Sequence, residues 1–89
     1  MKGALLYDAV LDRADLSKVR ASRADFTKAS LQHCNFEGGD LKHAIFAMAD
    51  VTGSSFKDAD VTGADFSYTI GLASCDFTHA RGYTKSIGR

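Results

Sequence analysis

The stretch 24–66 reads ADFTKASLQHCNFEGGDLKHAIFAMADVTGSSFKDADVTGADF, and a large apolar residue recurs in it at every fifth position. Two residues before each of these lies a smaller one, most often alanine. A period of five matches neither the 3.6-residue period of an α-helix nor the two-residue alternation of a strand. The stretch therefore predicts an architecture of short, similar repeats.

The period extends outward in both directions. It continues backwards to Leu6, slips by one residue at about 67–71, and resumes at Leu72. We call the large apolar position of each repeat its centre, and later centres fall at Gly82 and Ile87. At the slip we expect a bulge at a corner, with Gly71 taking the unusual backbone angles. These limits predict a repeat domain over residues 4–81 and a tail or cap over residues 82–89. The predicted core residues are Leu6, Leu11, Leu16, Phe26, Leu31, Phe36, Leu41, Phe46, Val51, Phe56, Val61, Phe66, Leu72 and Phe77.

The residue before each large apolar one is usually aspartate, as in ADLSK at 14–18 and ADFTK at 24–28. This unit resembles the pentapeptide-repeat family, whose consensus is A(D/N)Lxx. The resemblance implies an all-β fold, a right-handed quadrilateral β-helix of about four coils, with one repeat on each side of a coil. The small and the large apolar residues would both point inward.

A coil of this kind stacks residues twenty positions apart at the inter-strand spacing of about 4.8 Å. Phenylalanines then fall into two opposite columns, and aliphatic residues fill the other two. We therefore expect the rings to stack along the axis of the helix. The phenylalanine columns are Leu6, Phe26, Phe46, Phe66 and Leu16, Phe36, Phe56.

Composition and charge exclude several classes of partner. Eleven basic and eleven acidic residues cancel, so we expect no direct nucleic-acid binding and no membrane association. No run approaches the roughly 20 apolar residues of a membrane span, and no signal-peptide pattern opens the chain. A cytoplasmic location is the default expectation.

The sequence predicts no catalytic, metal-binding or cofactor-binding residues. Cys34 and Cys75 fall in one inward column, two coils or about 9–10 Å apart, which is beyond the reach of a disulfide. His33, His43 and His79 are outward residues that do not converge on one point, as zinc ligands must. The aspartates are expected to accept amide hydrogens at the turns.

Function is therefore expected from the outward surface. One side carries a row of apolar residues, a candidate interaction face: Leu5, Tyr7, Ile45, Ala47, Met48 and Tyr68. The leading hypothesis is a non-catalytic rigid repeat module for protein–protein interaction, with an unknown protein partner or a homodimer through an apolar side or a coil end. The resemblance adds an alternative, a DNA mimic acting on DNA gyrase or a topoisomerase. Because no cap is visible before ALLYD, a third alternative is a repeat segment of a larger protein.

Overall fold

Parallel β-bridges join residues twenty positions apart. The computed structural model describes residues 1–83, and within them twelve parallel bridges occur: ten join residues twenty positions apart, and the last two join residues twenty-one apart. They begin with Leu5 to Asp25 and Val10 to Ser30, and they follow one another every five residues. The chain therefore winds as a parallel solenoid with four sides and twenty residues in each coil.

The β structure consists of isolated bridges, and the described residues contain no extended strand. Each side is only five residues long and ends in a tight turn. In one such turn, the N–H of Ala29 donates to the carbonyl of Phe26 at 3.0 Å, and Lys28 has a φ of 61°. A positive φ at the third residue is typical of a type II turn. Only the residue before each large apolar one takes part in the β-bridges, and its two flanking residues form the bonds to the next coil.

Large apolar side chains fill the interior. Nine of the fourteen predicted core residues are fully buried, all of them between Phe26 and Phe66. The predicted ring stacking is present: Phe46 lies 5.0 Å from Phe26 and 5.0 Å from Phe66, with nearly parallel planes. The second stack, Phe36–Phe56–Phe77, has spacings of 4.9 Å. The two stacks meet edge to face across the core, for example Phe46 to Phe56 at 5.7 Å.

The other five predicted core residues are only half-buried, because they lie in the first and last coils of residues 1–83, which have a described coil on one side only. They are Leu6, Leu11, Leu16, Leu72 and Phe77.

The slip takes the form of one helical turn in place of the expected corner bulge. The pairing offset is twenty at Asp50–Ile70 and twenty-one at Ser55–Asp76. Between them lies a 3-10 helix, Leu72–Ser74, preceded by Gly71 with a φ of 87°. A Cβ at Gly71 would collide with Thr52, so both the angle and the close approach require glycine here.

The C-terminal end of the core is covered by Tyr83. Its ring stacks on Phe77 at 3.6 Å and meets Phe66 edge to face at 6.1 Å. The predicted centre Gly82 is exposed and has no side chain to bury, so the next residue supplies the apolar group. Ile87 and the rest of the tail lie outside the described residues.

Candidate interaction surface

Aspartate and asparagine side chains build the turns that position the outward residues. In eight repeats the aspartate or asparagine before the centre accepts, through its side-chain oxygen, the N–H of the residue that follows the centre. Asp25, for example, accepts the N–H of Thr27 at 2.9 Å. Where that residue is serine or threonine, its hydroxyl often donates to the same oxygen. The structural role expected for these aspartates is confirmed at these turns.

The same hydrogen bonds lower the pKa of several carboxylates. The hydroxyls of Ser17, Thr62 and Thr78 are the main cause that lowers the pKa of Asp15, Asp60 and Asp76 respectively. Between coils, the hydroxyl of Ser30 and the N–H of Gln32 lower the pKa of Asp12 in the same way. These carboxylates therefore act as hydrogen-bond acceptors that stabilise the turns and the contacts between coils.

The three histidines are exposed and lie at separate corners. His33 packs over Gly53 and His43 over Gly63, each one coil further along, so closely that a Cβ at either glycine would overlap the ring. His79 lies 3.7 Å from a carboxylate oxygen of Asp58. No group of three potential metal ligands occurs in the part of the chain described. We did not predict from the sequence that these histidines lie over glycines, although each histidine and its glycine are twenty residues apart, the length of one coil.

Both cysteines are free thiols. Cys34 is buried, and its Sγ donates to the carbonyl of Leu11 at 3.0 Å. Cys75 is half-buried, and its Sγ donates to the carbonyl of Val51 at 3.1 Å. Burial raises the pKa of Cys34 and raises that of Cys75 to about 11. Both thiols are therefore protonated at neutral pH and are poor nucleophiles.

The candidate interaction face is only partly exposed. Leu5, Tyr7, Met48 and Tyr68 are exposed, with Tyr68 at 76%, whereas Ile45 and Ala47 are half-buried. Two further exposed residues, Val10 at 73% and Ile70 at 57%, were missed. Both occupy the position before a centre, where this sequence usually has aspartate. An apolar residue at that position was the signal in the sequence that could have identified them as exposed.

The coil that contains residues 21–40 divides these residues into two groups. It contributes Asp25, Thr27, Lys28 and Ser30 to the same side and corner. We call Leu5, Tyr7 and Val10 the N-terminal apolar cluster. Met48, Tyr68 and Ile70 form the C-terminal apolar cluster, in which Met48 and Tyr68 occupy one corner in successive coils. The candidate interaction face is therefore divided: an interposed coil, with strand spacing of about 4.8 Å on either side, separates the two groups.

No helix formed by residues 1–83 is long and apolar enough to cross a membrane.

Comparison with known proteins supports one family. A profile described as Pentapeptide repeats matches in 8 copies over residues 4–42 and 40–70. A crystal structure of a pentapeptide repeat protein from Nostoc PCC 7120 is similar at a TM-score of 0.82 and 26% identity, over 85% of this chain and 62% of that one.

Two further solved structures share the fold. A pentapeptide repeat protein from the Arabidopsis thaliana thylakoid lumen has a TM-score of 0.61 and 22% identity, over 89% of this chain and 58% of that one. QnrB1, a plasmid-mediated fluoroquinolone resistance protein, has a TM-score of 0.54 and 11% identity, over 100% of this chain and 54% of that one.

The chain thus spans less than two thirds of the length of these three proteins. No functionally curated protein matches it. Because the repeat profile covers most of the sequence, this chain belongs to the pentapeptide-repeat family.

Proposed function

We propose that this chain is a non-catalytic, rigid module for protein–protein interaction that binds its partner through the C-terminal apolar cluster. Its form would be a right-handed quadrilateral β-helix of about four coils. The observation that carries the proposal is the exposure of Tyr68, Ile70 and Met48, at 76%, 57% and 45%, on one corner and the side that follows it. Aromatic residues and methionine are enriched at protein interfaces, and a tyrosine can anchor one.

The surroundings of this cluster also favour a protein partner. Ile45 and Ala47 extend it as half-buried apolar surface, and Asp50 and Asp65 border it. An apolar centre with a polar rim is the usual arrangement of a binding surface. The ring stacks beneath it hold the backbone in place, so little conformational entropy would be lost on binding.

The chemistry of the remaining side chains supports a role without catalysis. The aspartates that a reaction could use accept hydrogen bonds within their own turns, and the two thiols are protonated. The free thiols also suit the cytoplasm, which keeps cysteines reduced, and we include that location in the proposal.

DNA mimicry has less support. The similarity to QnrB1 is one of fold only, at 11% identity. The largest dimension of the backbone is 26 Å, the length of roughly eight base pairs at 3.4 Å each. Residues 9–28 carry five basic side chains against three acidic ones, which is opposite to a phosphate-like surface. A gyrase supercoiling assay that responds to the chain would revive this alternative.

The proposal is tested by affinity capture with matched variants. Tyr68→Lys with Ile70→Lys alters the C-terminal cluster, and Tyr7→Lys with Val10→Lys alters the N-terminal cluster as a control. We expect a specific protein to be retained by the unmodified chain and by the control, and to be lost with the Tyr68/Ile70 variant. Equal retention by all three chains, each with an unchanged circular dichroism spectrum, would contradict the proposal.

A further inference from the structure

The turn at Ser22 differs from the other turns that have a hydroxyl residue after the centre. In six such turns within residues 1–83, an aspartate two residues earlier accepts the N–H of the serine or threonine, as Asp15 does from Ser17 at 3.1 Å. At Ser22 the residue two positions earlier is Arg20, whose guanidinium can only donate. A cation therefore replaces the carboxylate that would otherwise accept the hydroxyl of Ser22.

Contacts with the two neighbouring coils bring further cations to Ser22. Its carbonyl accepts the N–H of Gly3 at 2.9 Å, and the N–H of Arg23 donates to the carbonyl of Lys42 at 2.9 Å. Lys2 and Lys42 occupy the position of Ser22 in the preceding and the following coil, each about 4.8 Å away at strand spacing. We call Ser22 and the four exposed cations around it the Ser22 cluster; the cations are Lys2, Arg20, Arg23 and Lys42.

The Ser22 cluster has an excess of positive charge. Within residues 1–83, no ion pair involves Lys2, Arg20 or Arg23. Asp40 lies on the same side, one coil after Arg20, with which it forms a β-bridge. The Oδ2 of Asp40 lies 3.8 Å from the Nζ of Lys42, and its Oδ1 accepts the N–H of that residue at 3.2 Å. The cluster therefore stays cationic even when Asp40 is counted with it.

We propose that the Ser22 cluster binds a small ligand that carries one or two phosphate groups. This inference goes beyond the proposed function, because the cluster lies on the side opposite Ile70. A guanidinium offers parallel N–H donors to two phosphate oxygens, an ammonium adds a point charge, and a serine hydroxyl donates one hydrogen bond. The two arginines flank the hydroxyl within one coil, and the two lysines lie one coil away on either side, so all five donors surround one point.

A phosphate group fits this set of donors better than a carboxylate does. A phosphate monoester carries close to two negative charges at pH 7 and has three strong acceptor oxygens, whereas a carboxylate carries one charge on two oxygens. The larger anion can accept hydrogen bonds from both guanidinium groups and from the hydroxyl of Ser22 at the same time. The lysines then balance its second charge.

The extent of the cluster favours a small ligand over a nucleic acid. Lys2 and Lys42 are two coils apart, about 9.6 Å at strand spacing, which is enough for one or two phosphate groups. Further along the same side Asp60 follows Asp40, and these carboxylates would repel the next phosphates of a strand. Nucleic-acid affinity rises with the number of phosphates that a surface neutralises, and this surface is short.

Titration with inorganic pyrophosphate tests the site on the full 89-residue chain. At about 0.1 M salt, the amide NMR signals of Gly3, Ser22, Arg23 and Lys42 should shift and saturate at millimolar pyrophosphate. Inorganic phosphate should act more weakly, because it has fewer charges and fewer oxygens. Shifts that do not saturate, or that lie mainly on another side, would overturn the inference.

A short DNA duplex, supplied at the same concentration of phosphate groups, separates the two kinds of ligand. It should shift the signals of the Ser22 cluster less than pyrophosphate does. A duplex that binds more tightly than pyrophosphate would overturn the assignment to a small ligand.

The variant Arg20→Asp tests the guanidinium. It introduces the turn already formed by Asp25 and Thr27, so the fold should be kept. We expect the affinity for pyrophosphate to fall at least about tenfold, because charge-assisted hydrogen bonds are lost and a negative charge is added. Arg20→Asp should still retain the protein bound by the C-terminal apolar cluster, so this inference and the proposed function can fail independently.

Arg13→Asp is the matched control for that variant. It makes the same change in net charge at a corner away from the cluster, in a position that Asp8 and Asp58 already occupy with the same sign of φ. It should change the affinity less than about twofold, since salt and solvent screen a distant charge. Equal losses in the two variants would overturn the site, because they would indicate diffuse attraction alone.

Ser22→Ala tests the centre of the site without changing any charge. We expect the affinity for pyrophosphate to fall several-fold, because one hydrogen-bond donor is lost. An unchanged affinity, with the amide spectrum otherwise preserved, would overturn the placement of the phosphate group at Ser22.

Discussion

The two ends of the solenoid differ in how the core is finished. At the C-terminal end, Tyr83 stacks on Phe77 at 3.6 Å and covers the aromatic column. At the N-terminal end, Leu16 occupies the same column with nothing stacked below it within the described residues, and it remains half-buried. The same five-residue unit builds both ends, and within residues 1–83 an aromatic ring covers only the C-terminal one. Packing therefore depends on the position of a coil, since each interior coil is covered on both sides.

The centre provides the reference against which both ends are measured. Phe46 is fully buried and contacts four other rings, two by stacking and two edge to face. We predict that Phe46→Ala lowers the free energy of unfolding by about 3–5 kcal/mol, because it leaves a large cavity in a close-packed core. Urea denaturation measures this. The matched variant Leu16→Ala, at the open end, should cost clearly less, and equal costs would mean that the N-terminal end is as well packed as the centre.

Removing the covering ring makes the two ends alike. We predict that Tyr83→Ala costs about 1–2 kcal/mol, since a stacked aromatic pair contributes about 0.5–1.5 kcal/mol beyond the apolar area it buries. Tyr83→Phe keeps the ring and serves as the control, with a denaturation midpoint close to that of the unmodified chain. A negligible effect of Tyr83→Ala would show that this ring does not stabilise the end.

The sequence predicted the interior well, because burial imposes a strict period. Every fully buried residue among the predicted centres follows the five-residue register, and the ring stacks follow from the twenty-residue coil. A periodic core gives each position the same environment, so a pattern over many repeats averages out the exceptions.

The ends and the outward surface were harder to predict, because the period does not constrain them. Tyr83 lies one residue away from the predicted centre at Gly82. A ring at the end of the core can stack on Phe77 from outside the five-residue register, because it has to fit against one layer of the core only. Val10 and Ile70 escaped notice because outward positions tolerate any side chain that fits the turn. The apolar face is divided because the coil between its two groups carries Asp25 and Lys28. Aligning residues twenty positions apart shows this, whereas a count of the apolar residues on that side does not.

Two corner columns place a glycine under an imidazole ring. Their residues run Arg13, His33, Gly53 and Gly3, Arg23, His43, Gly63. We predict that Gly63→Ala costs about 1–2 kcal/mol, from the left-handed backbone and from overlap with His43. Chemical denaturation measures this cost.

A second glycine separates these two contributions. At Gly38 a Cβ would meet only the Cγ of Lys18 at 3.5 Å, an ordinary contact, so Gly38→Ala should carry the backbone cost alone. Combining Gly63→Ala with His43→Ala should remove the excess over Gly38→Ala. An excess that persists in the double variant would show that the imidazole is not its cause.

The smallest expected effect concerns the turns, which are the same at both ends. Hydroxyl and amide donors lower the pKa of Asp15 near the N-terminal end and of Asp76 near the C-terminal end below 3.8. Because the unfolded chain has the ordinary pKa, it binds more protons than the folded chain in mild acid. The contribution of these turns is therefore complete above about pH 5, and it is lost as the pH falls through the unfolded value and then the lowered native values.

Asparagine substitutions test that contribution at each end in turn. Asn35 already forms the same turn with its amide oxygen, which accepts the N–H of Glu37 at 2.9 Å, so Asp15→Asn and Asp76→Asn should both keep the fold. Each should lower stability slightly at neutral pH and make its acid loss less steep, as urea midpoints between about pH 2 and pH 7 would measure. We expect similar changes at the two ends, because the turn bonds lie within one repeat, whereas packing depends on the neighbouring coil. A marked difference between the two variants would mean that the turns also depend on the neighbouring coil.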